Sequence, residues 1–205
     1  MLKSSAGRRL YFITDMLFQF IVLNVLWFLF TVVGLVFFGV FPASIAVCYL
    51  MKKRIVEQDN IPIFSTFWAI YKQNFVRGNI LGVLTAAVSF MLYLDFQIIQ
   101  QFNNMVVTIF GIGLVIVSMF LLITIFYSLP LISITTDSSF KVIKNAFLLG
   151  VANPVVTLMI FIVILSIRVI YGYFPTIIPL FGIMPLLLTF TVAFHKSFNR
   201  LEQTI

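Results

Sequence analysis

The chain has 205 residues, of which 62% are hydrophobic and only 9% charged, with a formal net charge of +7. Roughly a quarter of the residues of a soluble domain are charged, so this composition excludes one and points to an integral membrane protein. A single cysteine, Cys48, excludes an internal disulfide and a cysteine-cluster metal site, and a chain this apolar is not expected to bind nucleic acid.

Several apolar runs reach the ~20 residues that cross ~30 Å of hydrocarbon, whereas a barrel would show ~10-residue alternating segments. The expected fold is all-α: one polytopic transmembrane domain over residues 1–205, with six spans and two amphipathic surface helices. Met1–Asp15 carries Lys3, Arg8 and Arg9. The apolar run that follows, Met16–Met51, is 36 residues. That is too long for a signal peptide's 7–15-residue apolar region, so the segment is read as retained. Gly34, Gly39 and Pro42 lie where a turn is needed. A tight hairpin is expected, with span one near Met16–Val33 and a short span two near Pro42–Lys53 that thins the bilayer or sits behind other helices.

Lys52–Arg54 close the hairpin and Glu57–Asn60 form a polar loop. Ile61–Arg77 then reads as an amphipathic surface helix. Phe64, Phe67, Trp68, Tyr71 and Phe75 recur at helical spacing as its membrane anchors, with Pro62 in the first turn after an Asn60 cap. At Gly78 the chain turns apolar, and Gly78, Gly82 and Ala86 form a small-xxx-small row that lets another backbone approach closely. Span three is placed at Gly78–Gln101, followed by an uncharged turn at Gln100–Asn104. Span four is Met105–Leu129, bent or ended by Pro130. Thr136–Ser138 reads as a cap opening a second surface helix whose apolar side holds Phe140, Ile143, Phe147 and Val151. Pro154 opens span five, to about Tyr173. A Pro175 turn leads to span six, Thr176–Phe194, which Gly182 and Pro185 can kink.

Lys72-x-x-Phe75-x-x-Gly78 matches Lys144-x-x-Phe147-x-x-Gly150. Three matched positions suggest a duplicated unit over 61–135 and 137–195, parallel because both copies start on the same side. With six spans and both termini in the cytoplasm, twelve of the thirteen Lys and Arg residues fall on the cytoplasmic side, Arg168 excepted.

Asp95 and Arg168 are the charged residues placed well inside predicted spans, at similar depth toward the outer leaflet. An intramembrane ion normally faces a partner or water, so they form a candidate polar pair between spans three and five. A structural salt bridge, or two side chains reaching the interface, is the plainer reading. Asn24 and Trp27 in span one are candidates for helix packing or for a partner face, with Asn24 able to bond across helices. No Ser-His-acid set, phosphate-binding glycine loop or metal-ligand spacing occurs. Neither enzyme activity nor a cofactor is expected.

Asn24-Val-Leu-Trp27, Gly39-Val-Phe-Pro42-Ala43, Phe64-x-x-Phe67 and Asn74-Phe75 together resemble the YesL-like bacterial membrane proteins, a domain of unknown function. The resemblance runs through about residue 85 and more loosely to the end. The family's usual Gly-Pro-Ala is here broken into Gly39-x-x-Pro42-Ala43. It implies a bacterial plasma-membrane protein of a kind often encoded beside carbohydrate ABC importers and glycan-degrading enzymes, and it implies no catalytic residue. Two functions follow as expectations. One is an accessory or regulatory protein packing against ABC importer permease subunits; the other is a small stand-alone transporter or channel, which needs polar groups at the midplane. Asn24, Thr85, Ser89, Ser118 and Thr124 are scattered and mostly small, which favours the accessory reading.

Overall fold

The computed structural model describes residues 5–101, 105–174, 176 and 181–202. Its helices are α1 (Ser5–Val33), α2 (Val40–Met51), α3 (Ile63–Gln73), α4 (Phe75–Ile99), α5 (Met105–Ile134), α6 (Ser139–Ala152), α7 (Pro154–Tyr173) and α8 (Met184–Glu202), with a π turn at Lys52–Val56 after α2. The protein is all-helical, as its apolar runs require. The expectations that rest on Pro175, on residues 102–104 and on residues 177–180 lie outside the described residues, as do the side chains of Lys3, Arg8, Arg9 and Arg200.

Everything is arranged around α2. Ala43, Ile45, Ala46, Val47, Cys48, Leu50 and Met51 are all fully buried. A helix that is apolar all round belongs at a centre rather than a surface. Its small residues let α3, α4, α5 and α8 close in on it, with α1 folded back along one side. The expected second span is therefore a helix of twelve residues, about 18 Å long, which sits behind its neighbours instead of facing lipid.

Four helices are long and apolar enough to cross a membrane: Thr14–Val33 of α1, α4, Thr108–Ile134 of α5, and α7. Most of their surface is bare of protein, including Phe90 and Met91 on α4, Ile109 and Phe110 on α5, and Ile162 and Leu165 on α7. Water would not tolerate that area of apolar surface; lipid does.

Several local expectations are corrected. Pro130 does not end its helix, because α5 runs on to Ile134, and Ser133 Oγ donates to the Pro130 carbonyl. The first surface helix starts one residue after Pro62, and it does not run smoothly into α4: the chain breaks at Asn74. Ser138 takes the cap position of α6 but makes no side-chain cap bond. In α8, Pro185 sits in the first turn, where its missing N–H costs nothing, and Gly182 lies before the helix with φ +46.

Candidate functional site

Polar and aromatic side chains gather in three places. The first is an aromatic nest. Phe30, near the end of α1, meets Phe67, Trp68 and Tyr71 of α3, with ring centroids 4.9, 5.4 and 5.1 Å away. Tyr71 Oη donates to the Phe30 carbonyl at 3.1 Å, and burial pushes its phenol up. This corrects the expected membrane anchor. Phe67 and Tyr71 are buried in protein, Phe75 packs on the core, and only Phe64 and Trp68 stay exposed. The aromatic face of α3 turns inward because Phe30 and the α1–α2 turn supply a better-packed apolar partner than an interface does. Lys72 Nζ lies 4.8 Å above the Trp68 ring.

The second is a set of buried hydroxyls strung along the contacts of α1 with α2 and of α5 with α7 and α8. Trp27 Nε1 donates to Ser44 Oγ at 3.0 Å, and that hydroxyl donates to the Val40 carbonyl. Tyr127 Oη lies 3.4 Å from Thr157 Oγ1 and 3.5 Å from Ser197 Oγ. Thr157 Oγ1 donates to the Gly150 carbonyl, and Thr191 Oγ1 donates to that of Leu187. Each group is spent on another helix or on its own backbone, as buried polar atoms must be. The arrangement fastens helices together; among the described residues no cluster of His, Cys, Asp and Glu offers a metal site.

The third is an arginine clamp. Arg77, at the start of α4, donates through Nη2 to the carbonyls of Thr135 and Asp137 and through Nη1 to Asn74 Oδ1. Ser139 Oγ returns a bond to the Arg77 carbonyl. The last residue of the expected surface helix instead ties the head of α4 to the α5–α6 connection.

The family described as "Protein of unknown function, DUF624" matches residues 20–96, from α1 through most of α4. Uncharacterized protein YteU of Bacillus subtilis (strain 168) is 32% identical over 179 residues, covering 87% of this chain and 80% of that protein. The chain belongs to the DUF624 family. Uncharacterized proteins YesL and YesV of the same strain are 27% identical over 182 residues and 28% over 160. The alignments cover 88% and 78% of this chain, and 85% and 77% of those proteins. No solved structure matches.

In this DUF624 protein two residues of the small-xxx-small row lie at packing contacts. Gly78 and Gly82 face α2: a Cβ on Gly78 would lie 2.9 Å from Ile45 Cδ1, and one on Gly82 2.6 Å from Phe41 Cδ2. Ala86, one turn on, is exposed. Asn24 and Trp27 line an open groove of about 480 Å³ with Gly182, whose Cα side is so close to Asn24 that no Cβ fits. On α6, Val142, Ala146 and Leu149 are buried, Ile143 is half-buried, and Phe140 and Phe147 are exposed. The buried face is rotated from the expected one because α5 takes the smaller side chains. Asp95 and Arg168 are not brought together. Asp95 is half-buried on α4 and Arg168 exposed on α7. α4 packs on α5, α2 and α6, while α7 packs on α8 and α6.

The clamp, Tyr127 with its two hydroxyl neighbours, and the chain break at Asn74 were missed in the sequence. The second break falls where Pro154 was expected to open a span; Arg77 and Tyr127 gave no signal, since partners of theirs lie about sixty and seventy residues away.

Proposed function

We propose that this DUF624 protein is a non-catalytic accessory or regulatory membrane protein that works by packing against the permease subunits of a bacterial carbohydrate ABC importer. The observation carrying this reading is how polarity is divided. The hydroxyls of Ser44, Tyr127 and Thr157, the Arg77 Nη groups and the Trp27 N–H are used within the chain, with buried Thr31 Oγ1 and Gln19 Oε1 as scattered exceptions, while α4, α5 and α7 present long apolar faces to their surroundings. A passage for sugar needs unspent polar groups along a path; a packing partner needs a rigid core and bare helix faces. The importer as partner rests on the gene company implied for YesL-like proteins. The positive-inside pattern supports a plasma-membrane location with both termini cytoplasmic.

Affinity purification of the tagged chain from its native membrane in mild detergent, followed by mass spectrometry, tests the reading. The expected result is stoichiometric recovery of permease subunits. Purified chain that moves sugar across proteoliposomes alone would replace this reading with the transporter.

A further inference from the structure

The α1–α2 turn, Gly34–Gly39, holds the least expected surface in the molecule. Leu35, Val36, Phe37 and Phe38 are 76, 50, 85 and 51% exposed. No polar side chain interrupts them. Leu35 and Val36 both adopt left-handed backbone, φ 57 and 64, a region that disfavours branched side chains and suits glycine or asparagine. A turn in water would be expected to carry polar residues and leave its backbone to solvent. Here the N–H groups of residues 34, 35, 36, 37, 39 and 40 all donate within the turn, to the carbonyls of Phe30, Val32, Thr31, Leu35 and Val36. Apart from the Phe38 N–H, which has no backbone partner, the turn satisfies its donors internally, as hydrocarbon demands of a chain that enters it.

The position of the turn agrees. Phe38 shares an apolar groove with Phe75, Val76, Asn79, Ile80, Val83 and Leu84 of α4, and Phe41 covers Gly82. Gly82 is seven residues along a helix of 25, so the start of α2 lies about 10 Å past the head of α4, with about 25 Å of α4 continuing beyond it, and the turn precedes α2 on the side away from that head. Arg77 and the polar Thr135–Ser138 connection mark that head as the watery end.

We propose that the α1–α2 turn ends inside the bilayer, with Leu35–Phe38 embedded among lipid acyl chains, so that α1 and α2 form a re-entrant hairpin wedged beside α4. The two strained residues are tolerated because the polar side chains that would relax such a turn could not be solvated there. The inference rests on α4 crossing the membrane, and the controls separate the two.

The experiment uses the full chain in proteoliposomes, with Cys48→Ala removing the native thiol and a nitroxide attached to Phe37→Cys, Phe90→Cys or Gln58→Cys. Leu35→Cys repeats the tip measurement on a second side chain. Collision rates with oxygen, which concentrates in lipid, and with a water-soluble nickel chelate are compared. Positions 37, 35 and 90 are expected to favour oxygen several-fold, and position 58 the nickel chelate. Nickel access at 37 and 35 with 90 still in lipid would overturn the embedded tip alone. Nickel access at 90 as well would overturn the crossing of α4, and the proposal with it.

Discussion

Two stretches of this protein solve the same problem with different chemistry. In α3–α4 and in α6–α7, a short amphipathic helix stops at a buried asparagine and a long apolar helix starts beside it. Asn74 Nδ2 donates to the Ile70 carbonyl, and Asn153 Nδ2 to that of Leu149, both at 3.1 Å. Each asparagine carbonyl then accepts the first bond of the new helix, from Gly78 and Thr157. The side chain thus caps one helix while the backbone opens the next. Around that shared device everything differs. The first unit buries rings, Phe67 and Tyr71, against Phe30 and secures its break with Arg77. The second buries Val142, Ala146 and Leu149 against α5 and secures its break with Thr157 and Tyr127. The Lys-x-x-Phe-x-x-Gly match does not align these positions: Lys72–Gly78 straddles the first break, whereas Lys144–Gly150 lies wholly before the second. The lesson is that a break is placed by what the flanking helices pack against, and the means of securing it follow the partners available.

The largest effect is expected where only one unit has the feature. Arg77→Ala leaves two carbonyls and Asn74 without their donor. Bonds to a charged group contribute about 1.5–3 kcal/mol each and are not additive, so a loss near 3 kcal/mol is expected in thermal unfolding in detergent. Lys144→Ala, on the exposed side of the second unit, should stay within about 0.5 kcal/mol. Equal effects would show that the first break is not held by the clamp.

Gly82→Leu and Gly150→Leu test the close approaches. A side chain at 82 meets Phe41, and one at 150 meets Ile123 and Tyr127. Overpacking of this kind costs about 1–3 kcal/mol, and both variants should melt at lower temperature. A normal melt for Gly82→Leu would place that row outside the chain's own packing.

Asn74→Ala and Asn153→Ala each remove a cap bond, for which about 1 kcal/mol is expected. Because the sites share no partner, the double variant should show the sum within about 0.5 kcal/mol. The same logic applies to Asp95→Asn and Arg168→Gln. A double-mutant cycle should return no coupling, and coupling above 1 kcal/mol would bring the two helices together in lipid.

The smallest effect concerns the connections leading into the two units. Before α3, Lys53 Nζ bonds Glu57 at 2.6 Å and Asp59 at 3.3 Å; before α6, a single pair joins Lys141 to Asp137 at 2.8 Å. The bond from Lys53 holds the Glu57 carboxyl below its usual range, and the bond to Glu57 holds the Lys53 ammonium above its own. A lowered carboxyl contributes order that is present above its unfolded value, about pH 4, and lost as pH falls through the lowered one. Protection of the Lys53–Asn60 amides, taken relative to intrinsic exchange at each pH, should therefore fall below about pH 4, and Glu57→Gln should remove that dependence. Unchanged protection down to about pH 2 would separate the pair from the order of the loop.

Much of this molecule was legible in residues alone. Mean apolarity over twenty positions marks α1, α4, α5 and α7, because partition into hydrocarbon is nearly additive along a helix. Alternation of rings and polar groups marked α3, and the Asp137–Ser138 region marked the start of α6. What periodicity could not say is which apolar face meets protein and which meets lipid, since both solvents of that face are equally apolar. So Phe67 and Tyr71 read as membrane anchors until Phe30 was beside them, and the backbone that the Gly82 row lets approach had no name until Phe41 covered it. Arg77 read as the end of a surface helix until the carbonyls of Thr135 and Asp137 came within reach. Composition and spacing determined that this chain is a helical membrane protein and where its long helices run. The full burial of α2, the Arg77 clamp and the inward turn of Phe67 and Tyr71 were decided only by tertiary packing, because each depends on a partner far along the chain that no local pattern encodes.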